Sequence, residues 1–186
     1  GQGAIINIEP QSLDTPNLVM TSNSYYEIEG DGDQIVNTGE TVGVEITIEN
    51  FIPWEDAQNI ELIIEPLSSS SLSIENEFIL VENLNAGESY SNNNNPFIIH
   101  IPSENPLGTE FLTLHIMATG PTGQSFYETF DITLDITLNQ AGFPIDSDGT
   151  VKSSPLIIDL NNDSEVEIIY GDNNGVVHIV DGNANP

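Results

Sequence analysis

The stretch Asp159-Leu160-Asn161-Asn162-Asp163-Ser164-Glu165-Val166-Glu167 sets oxygen-bearing side chains at every second residue. Calcium takes about six to eight hard oxygen ligands, and a tight loop with alternating oxygens can wrap one ion. Asp159, Asn161, Asp163 and Glu167 would supply side-chain oxygens, and Glu165 its backbone carbonyl. Ser164 stands where many such loops carry glycine. Apolar runs flank the loop on both sides, as a fixed site requires. The alternative is a solvated acidic turn. Asn162-Asp163-Ser164 also spells a glycosylation sequon, read as incidental inside a metal loop.

A second acidic stretch, Gly30-Asp31-Gly32-Asp33-Gln34-Ile35-Val36-Asn37-Thr38-Gly39-Glu40, runs straight into an alternating strand pattern at Thr41 to Asn50. Asp31, Asp33, Asn37 and Glu40 would ligate calcium and staple the loop to that strand. The alternative is a hairpin-like loop whose glycines supply positive φ. Asp146-Ser147-Asp148-Gly149 reads as a plain turn. Catalytic patterns are missing by comparison. Zinc needs clustered His or Cys, yet His100, His115 and His178 lie far apart and the chain has no cysteine. Neither a GxSxG elbow nor a phosphate-cradling glycine loop is present. Carboxylate pairs are too numerous to single out an acid–base pair. The expectation is a protein that is not an enzyme.

Thirty acidic residues face one basic residue, Lys152, giving a formal net charge of -29 over 186 residues. Phosphate backbones are bound by Lys and Arg, so this balance excludes nucleic acid as a partner. It excludes anionic membrane surfaces on the same ground. No stretch approaches the length of a membrane-spanning apolar helix. With one cation, the carboxylates must be solvated, screened by salt or neutralised by metal. Gly1-Gln2-Gly3 lacks the charged start of a signal peptide, so a secreted protein would have lost its leader or been cut from a longer chain.

The elements that must position these loops read as strands. Val42, Val44, Ile46 and Ile48 alternate with Gly43, Glu45, Thr47 and Glu49. Ile60, Leu62 and Ile64 share one face, as do Leu112, Leu114, Ile116 and Ala118. Phe126, Phe130, Ile132, Leu134, Ile136 and Leu138 fall at even spacing opposite Thr129, Asp131, Thr133 and Asp135. Period two with one polar face is the pattern of antiparallel strands packed on a core from one side. Glycine, serine and asparagine clusters punctuate them. Trp54 is placed in a loop beside the second core strand, packing at the rim. The fold class is all-β: an immunoglobulin-like antiparallel β-sandwich over 24–138. An N-terminal strand (Ala4 to Ile8) and linker occupy 1–23, and a β-hairpin region occupies 139–186.

Two resemblances sharpen this. Phe143-Pro144, Ser153-Ser154-Pro155, Asp159-x-Asn161-x-Asp163, Glu167-Ile168-Ile169-x-Gly171, Gly175-x-Val177 and Val180-Asp181 resemble a blade of an FG-GAP or VCBS-type β-propeller. That resemblance implies calcium in the acidic loop and a role in adhesion. One partial blade cannot bury both its faces, so it would need further blades or another molecule. The opening at Gly30 to Glu40 is similar to that of CARDB-like, immunoglobulin-type modules of secreted bacterial proteins, with Thr38 in place of a proline. That resemblance implies an extracellular or cell-surface location.

The resulting expectation is a calcium-stabilised, non-catalytic extracellular module within a larger secreted or surface protein. Its partners would be copies of itself or other domains of that parent. Two alternatives stand beside it: a subunit that self-assembles into a filament or layer by β-strand complementation, and an accessory domain of a secreted peptidase.

Overall fold

The computed structural model describes residues 14–140, 142–182 and 184. The expected strand Ala4 to Ile8 lies outside them. Twelve strands follow in order among the described residues: β1 (Leu18–Glu29), β2 (Thr41–Asn50), β3 (Ala57–Pro66), β4 (Ser73–Ile74), β5 (Phe78–Leu84), β6 (Ser89–Ser91), β7 (Phe97–His100), β8 (Gly108–Thr119), β9 (Ser125–Ile136), β10 (Leu156–Ile158), β11 (Glu167–Gly171) and β12 (Val177–Val180). No helix occurs among the described residues.

The strands form three antiparallel sheets. One has the order β1-β2-β7-β4, with β6 also paired to β2; a second has the order β5-β3-β8-β9; a third is the meander β10-β11-β12. The first two press their apolar faces together. Val42, Val44, Ile46 and Ile48 of β2 share one core with Ile60, Leu62 and Ile64 of β3, Leu112, Leu114 and Ile116 of β8, and Ile132, Leu134 and Ile136 of β9. Each fully buried Ile or Leu contributes about 1.5–3 kcal/mol of burial free energy, so the alternation read in the sequence builds this sandwich.

Buried asparagines replace ladder bonds where strands change partner. Asn92 accepts from Ile46 N–H at 2.7 Å and donates to Val44 C=O at 3.2 Å. It thereby fills the gap on β2 between its pairing with β6 and with β7. Asn50 accepts from Asn17 N–H and donates to the carbonyls of Glu55 and Leu84. That clamp ties the entry of β1, the β2–β3 connection and the end of β5 together. Trp54 lies half-buried in the β2–β3 connection, its N–H bonded to Phe51 C=O.

Two details depart from the sequence pattern. β1 begins at Leu18, so the first sandwich strand starts ahead of position 24. It is an edge strand, mostly exposed, with register shifts at Met20/Ser22 and Glu27/Glu29. Those irregularities erase the period-two signal. At the other end, β9 stops at Ile136, opposite Gly108, the first residue of β8. Leu138 therefore leaves the core face and is 70% exposed. Thr137 turns instead to pair in parallel with Asn37.

The C-terminal meander has three strands, where a propeller blade has four. Leu156, Ile157, Val177 and Ile179 are exposed, while Val180 is buried. No strand of the meander pairs with a sandwich strand.

Candidate metal centre

The first two strands position the better-formed site. β1 and β2 are antiparallel neighbours with Glu29 opposite Thr41, so residues 30–40 form their connection. Glu27, still on β1, reaches up into the loop. Its two carboxylate oxygens accept from Gly32 N–H at 2.7 Å and Gln34 N–H at 3.1 Å. Asp31 accepts from Asp33 N–H, and Asp33 from Ile35 N–H. Glu40, at the foot of β2, accepts from Asn37 N–H at 2.8 Å. Positive φ at Gly32 and Gly39 makes these tight turns possible. Val36 plugs into the sandwich core and anchors the loop.

These turns bring Glu27, Asp31 and Glu40 together, one carboxylate oxygen of each within 4.8 Å of the others. Gly30 sits beneath them. A methyl group there would lie 2.5 Å from Glu27 Oε1 and 2.6 Å from Glu40 Oε1. Glu40 is 6% exposed. Its pKa is raised above the ordinary 4.5, first by burial and then by the charges of Glu27 and Asp31, against hydrogen bonds from the Asn37 and Asp31 backbone. The three carboxylates repel one another, and the chain has a single lysine and no arginine to offset them. Such an all-oxygen set matches what calcium prefers. Asn37 Oδ1 adds a buried oxygen with no hydrogen-bond partner. A cavity of about 400 Å³ beside the cluster is lined by Asp31, Asn37 and Glu40 together with residues 138–140.

Of the residues expected at this loop, Asp31 and Glu40 enter the cluster and Asn37 lines its cavity. Asp33 instead caps the Ile35 N–H. Glu27 was missed by sequence reasoning. Its signal lay in register: a glutamate on β1 that reaches back over the Asp-Gly-Asp turn, which needs the strand pairing to be known.

The Asp159 loop connects β10 to β11 and is organised differently. Asp159 accepts from Asn162 N–H at 2.6 Å and Ser164 N–H at 3.1 Å. Asn161 accepts from Asp163 N–H, and Asp163 from Glu165 N–H. Glu167, buried, accepts from Leu160 N–H at 2.7 Å, and the Asn161 amide donates to both Asp163 and Glu167. Asn162 and Ser164 adopt positive φ, 62° and 76°, so the position where glycine was expected does need the left-handed region. The loop is coiled around its own N–H groups, and its carboxylates do not form a cluster like that of Glu27, Asp31 and Glu40. Glu165 contributes its backbone to this coil.

A third arrangement lies in the β11–β12 turn. Asp172, with its side chain 1% exposed, accepts from Asn174 and Val176 N–H and contacts His178 Nε2 at 3.0 Å. His178 stacks on Tyr170 at 4.7 Å. The His178 contact, then the Val176 hydrogen bond, hold the Asp172 carboxyl below its ordinary 3.8. Gly149 backs this group: a methyl there would lie 2.8 Å from Asp172 Cγ. Gly149 is therefore packed against the turn, while Asp146 and Asp148 are exposed.

No family model matches this chain, and no curated protein does. The CARDB-type and FG-GAP-type resemblances thus gain no family match, and the shared ground is coarser: an all-β, antiparallel architecture. Among solved structures, the chain is similar to the archaellum periplasmic stator protein complex FlaF and FlaG from Sulfolobus acidocaldarius, at 14% identity over 70% of this chain and 99% of that one, with a TM-score of 0.27. It is also similar to Spo0M, a sporulation control protein from Bacillus subtilis, at 11% identity over 86% and 88%, with a TM-score of 0.32. Superposition this weak carries no functional assignment.

Proposed function

We propose that this chain is a non-catalytic, calcium-stabilised structural and interaction module of an extracellular protein. The carrying observation is the convergence of Glu27, Asp31 and Glu40, with Glu40 buried, in a chain with one lysine. A divalent cation there would neutralise the cluster and join the end of β1 to the start of β2. Extracellular calcium modules bind at about 10⁻⁴–10⁻³ M, a range matched to fluids outside cells. The Asp159 loop is the second proposed site, organised by Asp159, Asn161, Asp163 and Glu167. The sandwich would act as a rigid spacer, with the C-terminal meander as its contact element.

The test is thermal unfolding with calcium and with chelator. Calcium should raise Tm, and Glu27→Gln should remove most of that rise. Asp163→Ala should remove the part due to the C-terminal loop. A Tm indifferent to calcium would sink the metal reading.

A second reading, self-assembly by strand complementation, is favoured by the meander. Among the described residues its strands β10 and β12 pair only with β11, and Leu156, Ile157, Val177 and Ile179 are exposed. Unpaired apolar strand edges are templates for another chain. Light scattering with and without calcium separates the two: a monodisperse particle of 20.2 kDa in both conditions would reject assembly.

A further inference from the structure

The outer face of the sheet β5-β3-β8-β9 carries an apolar band. Strand registers fix one row across all four strands: Leu80 of β5 faces Glu61 of β3, Glu61 faces Met117 of β8, and Met117 faces Tyr127 of β9. The next row along holds Phe78, Ile63 and His115. Leu80, Phe78 and Tyr127 are 58%, 46% and 60% exposed. Directly opposed residues have Cβ atoms about 4.5–5.5 Å apart, so these side chains adjoin one another. One carboxylate, the half-buried Glu61, interrupts the first row.

That row borders a hollow. β3 bulges where its register with β8 shifts between Gln58 and Glu61, and Asn59 there takes a positive φ of 49°. Bulges bend a strand and re-aim its side chains. The Asn59 amide donates to Thr119 Oγ1 at 3.4 Å, and Thr119 donates to Gln58 C=O at 3.1 Å, holding the bulge against β8. Beside it opens a cavity of about 370 Å³ whose lining includes Asn59, Glu61, Met117, Thr119 and Tyr127. The Tyr127 hydroxyl and His115 Nδ1 share a hydrogen bond of 2.9 Å, and their rings stack with centroids 6.1 Å apart, which fixes the Tyr127 ring.

Neighbouring strands lie about 4.7–4.9 Å apart, so Glu61 and Tyr127 stand about 10 Å apart with Met117 between them. That arrangement suits an organic cation. The carboxylate accepts charge-assisted hydrogen bonds, and the ring attracts a cation to its π-face. Guanidinium suits it better than ammonium, because it is planar, weakly hydrated and forks onto a carboxylate. The chain has no arginine, and its one lysine, Lys152, lies outside these strands. The cation therefore comes from another molecule. A second copy would bring no arginine and the same acidic surface, so like charges would meet. The band through Leu80 and Phe78 matches a partner with apolar side chains beside the cation, which is a protein surface and not a free amine.

We propose that this face docks a protein partner through an arginine side chain inserted between Glu61 and Tyr127, with apolar residues of the partner on Leu80 and Phe78. None of these positions belongs to the β1–β2 loop or the meander, so the site is independent of the calcium reading.

The probe is the tripeptide acetyl-leucyl-arginyl-leucine amide, titrated into the isotopically labelled full chain and followed by NMR amide shifts. The same peptide with citrulline for arginine is the uncharged isostere. At about 0.1 M salt the Debye length is about 10 Å, which damps long-range attraction to the acidic surface. The expected result is saturable shifts centred on Glu61, Met117 and Tyr127, absent with the citrulline peptide. Glu61→Gln should weaken the fitted Kd about tenfold, as for loss of one charge-assisted hydrogen bond. Tyr127→Ala should weaken it several-fold. Asp131→Asn removes an equal charge farther along the same face and should leave Kd unchanged. Absence of shifts, or shifts spread over the acidic surface without saturation, overturns the proposal. Equal binding of the citrulline peptide also overturns it, as does a Glu61→Gln effect no larger than that of Asp131→Asn.

Discussion

At the scale of single residues, Glu40 and Gly30 decide what the β1–β2 loop can do. Glu40 is buried between like charges, so its folded pKa lies above its ordinary value of 4.5. In that window the folded state holds more protons than the unfolded one, and stability falls as pH rises. Chelated protein should therefore lose stability as pH climbs through and above 4.5, and calcium should restore it. Denaturation at several pH values with and without chelator measures this. Glu40→Gln should flatten that part of the profile, stabilise the metal-free protein at neutral pH and weaken its calcium response. Gly30→Ala is a sharper probe. Gly30 does not need positive φ, and the atoms nearest its added methyl are those of the Glu27 and Glu40 carboxylates. The fold should persist while calorimetric calcium binding at this loop disappears. Asp172 has the opposite sign. Its lowered pKa adds stability that is complete above 3.8 and lost as pH falls through and below that value. Hydrogen exchange of the β11–β12 amides on acidification should show it, with Asp172→Asn abolishing the step.

Among the elements, β2 carries the most constraint, because β1, β6 and β7 all pair with it. The handover from β6 to β7 depends on Asn92 reproducing two ladder bonds with its side chain. Asn92→Ala would strand the Ile46 N–H and Val44 C=O in the interior. Each unsatisfied buried group costs about 1–3 kcal/mol, so urea denaturation should show a loss of at least about 2 kcal/mol. The run Asn92 to Asn95 reads from sequence as a loop, and it does form a turn, closed by Asn95 N–H on Asn92 C=O at 2.8 Å. Composition could not separate the first asparagine, because its importance comes from β2 passing beside it. β1 illustrates the same limit: an exposed edge strand with bulges has no periodicity to read. The Asp159 loop was legible, since its alternating oxygens and the flanking strands of the meander are local features.

For the molecule as a whole, the charge of -29 dominates. Self-repulsion at this level destabilises any compact state. Monovalent salt screens it, with a Debye length of about 10 Å at 0.1 M, so Tm should rise with sodium chloride alone. Calcium at equal ionic strength should raise Tm further. The excess should vanish in a Glu27→Gln, Asp163→Ala double variant, leaving only the screening part. A calcium effect no larger than matched sodium chloride would mean that the carboxylates are only solvated.

By itself, the amino-acid sequence determined the class of structure and its electrostatic character. Aliphatic residues at period two force one-faced strands, and strands with one greasy face must pair across a core. An almost cation-free composition leaves the carboxylates to water, salt or metal. Only the tertiary structure decided which acids meet. Glu27 and Glu40 lie thirteen positions apart, and they converge because β1 and β2 pair antiparallel with Gly30 leaving room between them. Asn37 and Asn139 are separated by 102 positions and touch because β9 ends beside that loop. Contacts of this kind depend on strand order and register, and no local spacing encodes them.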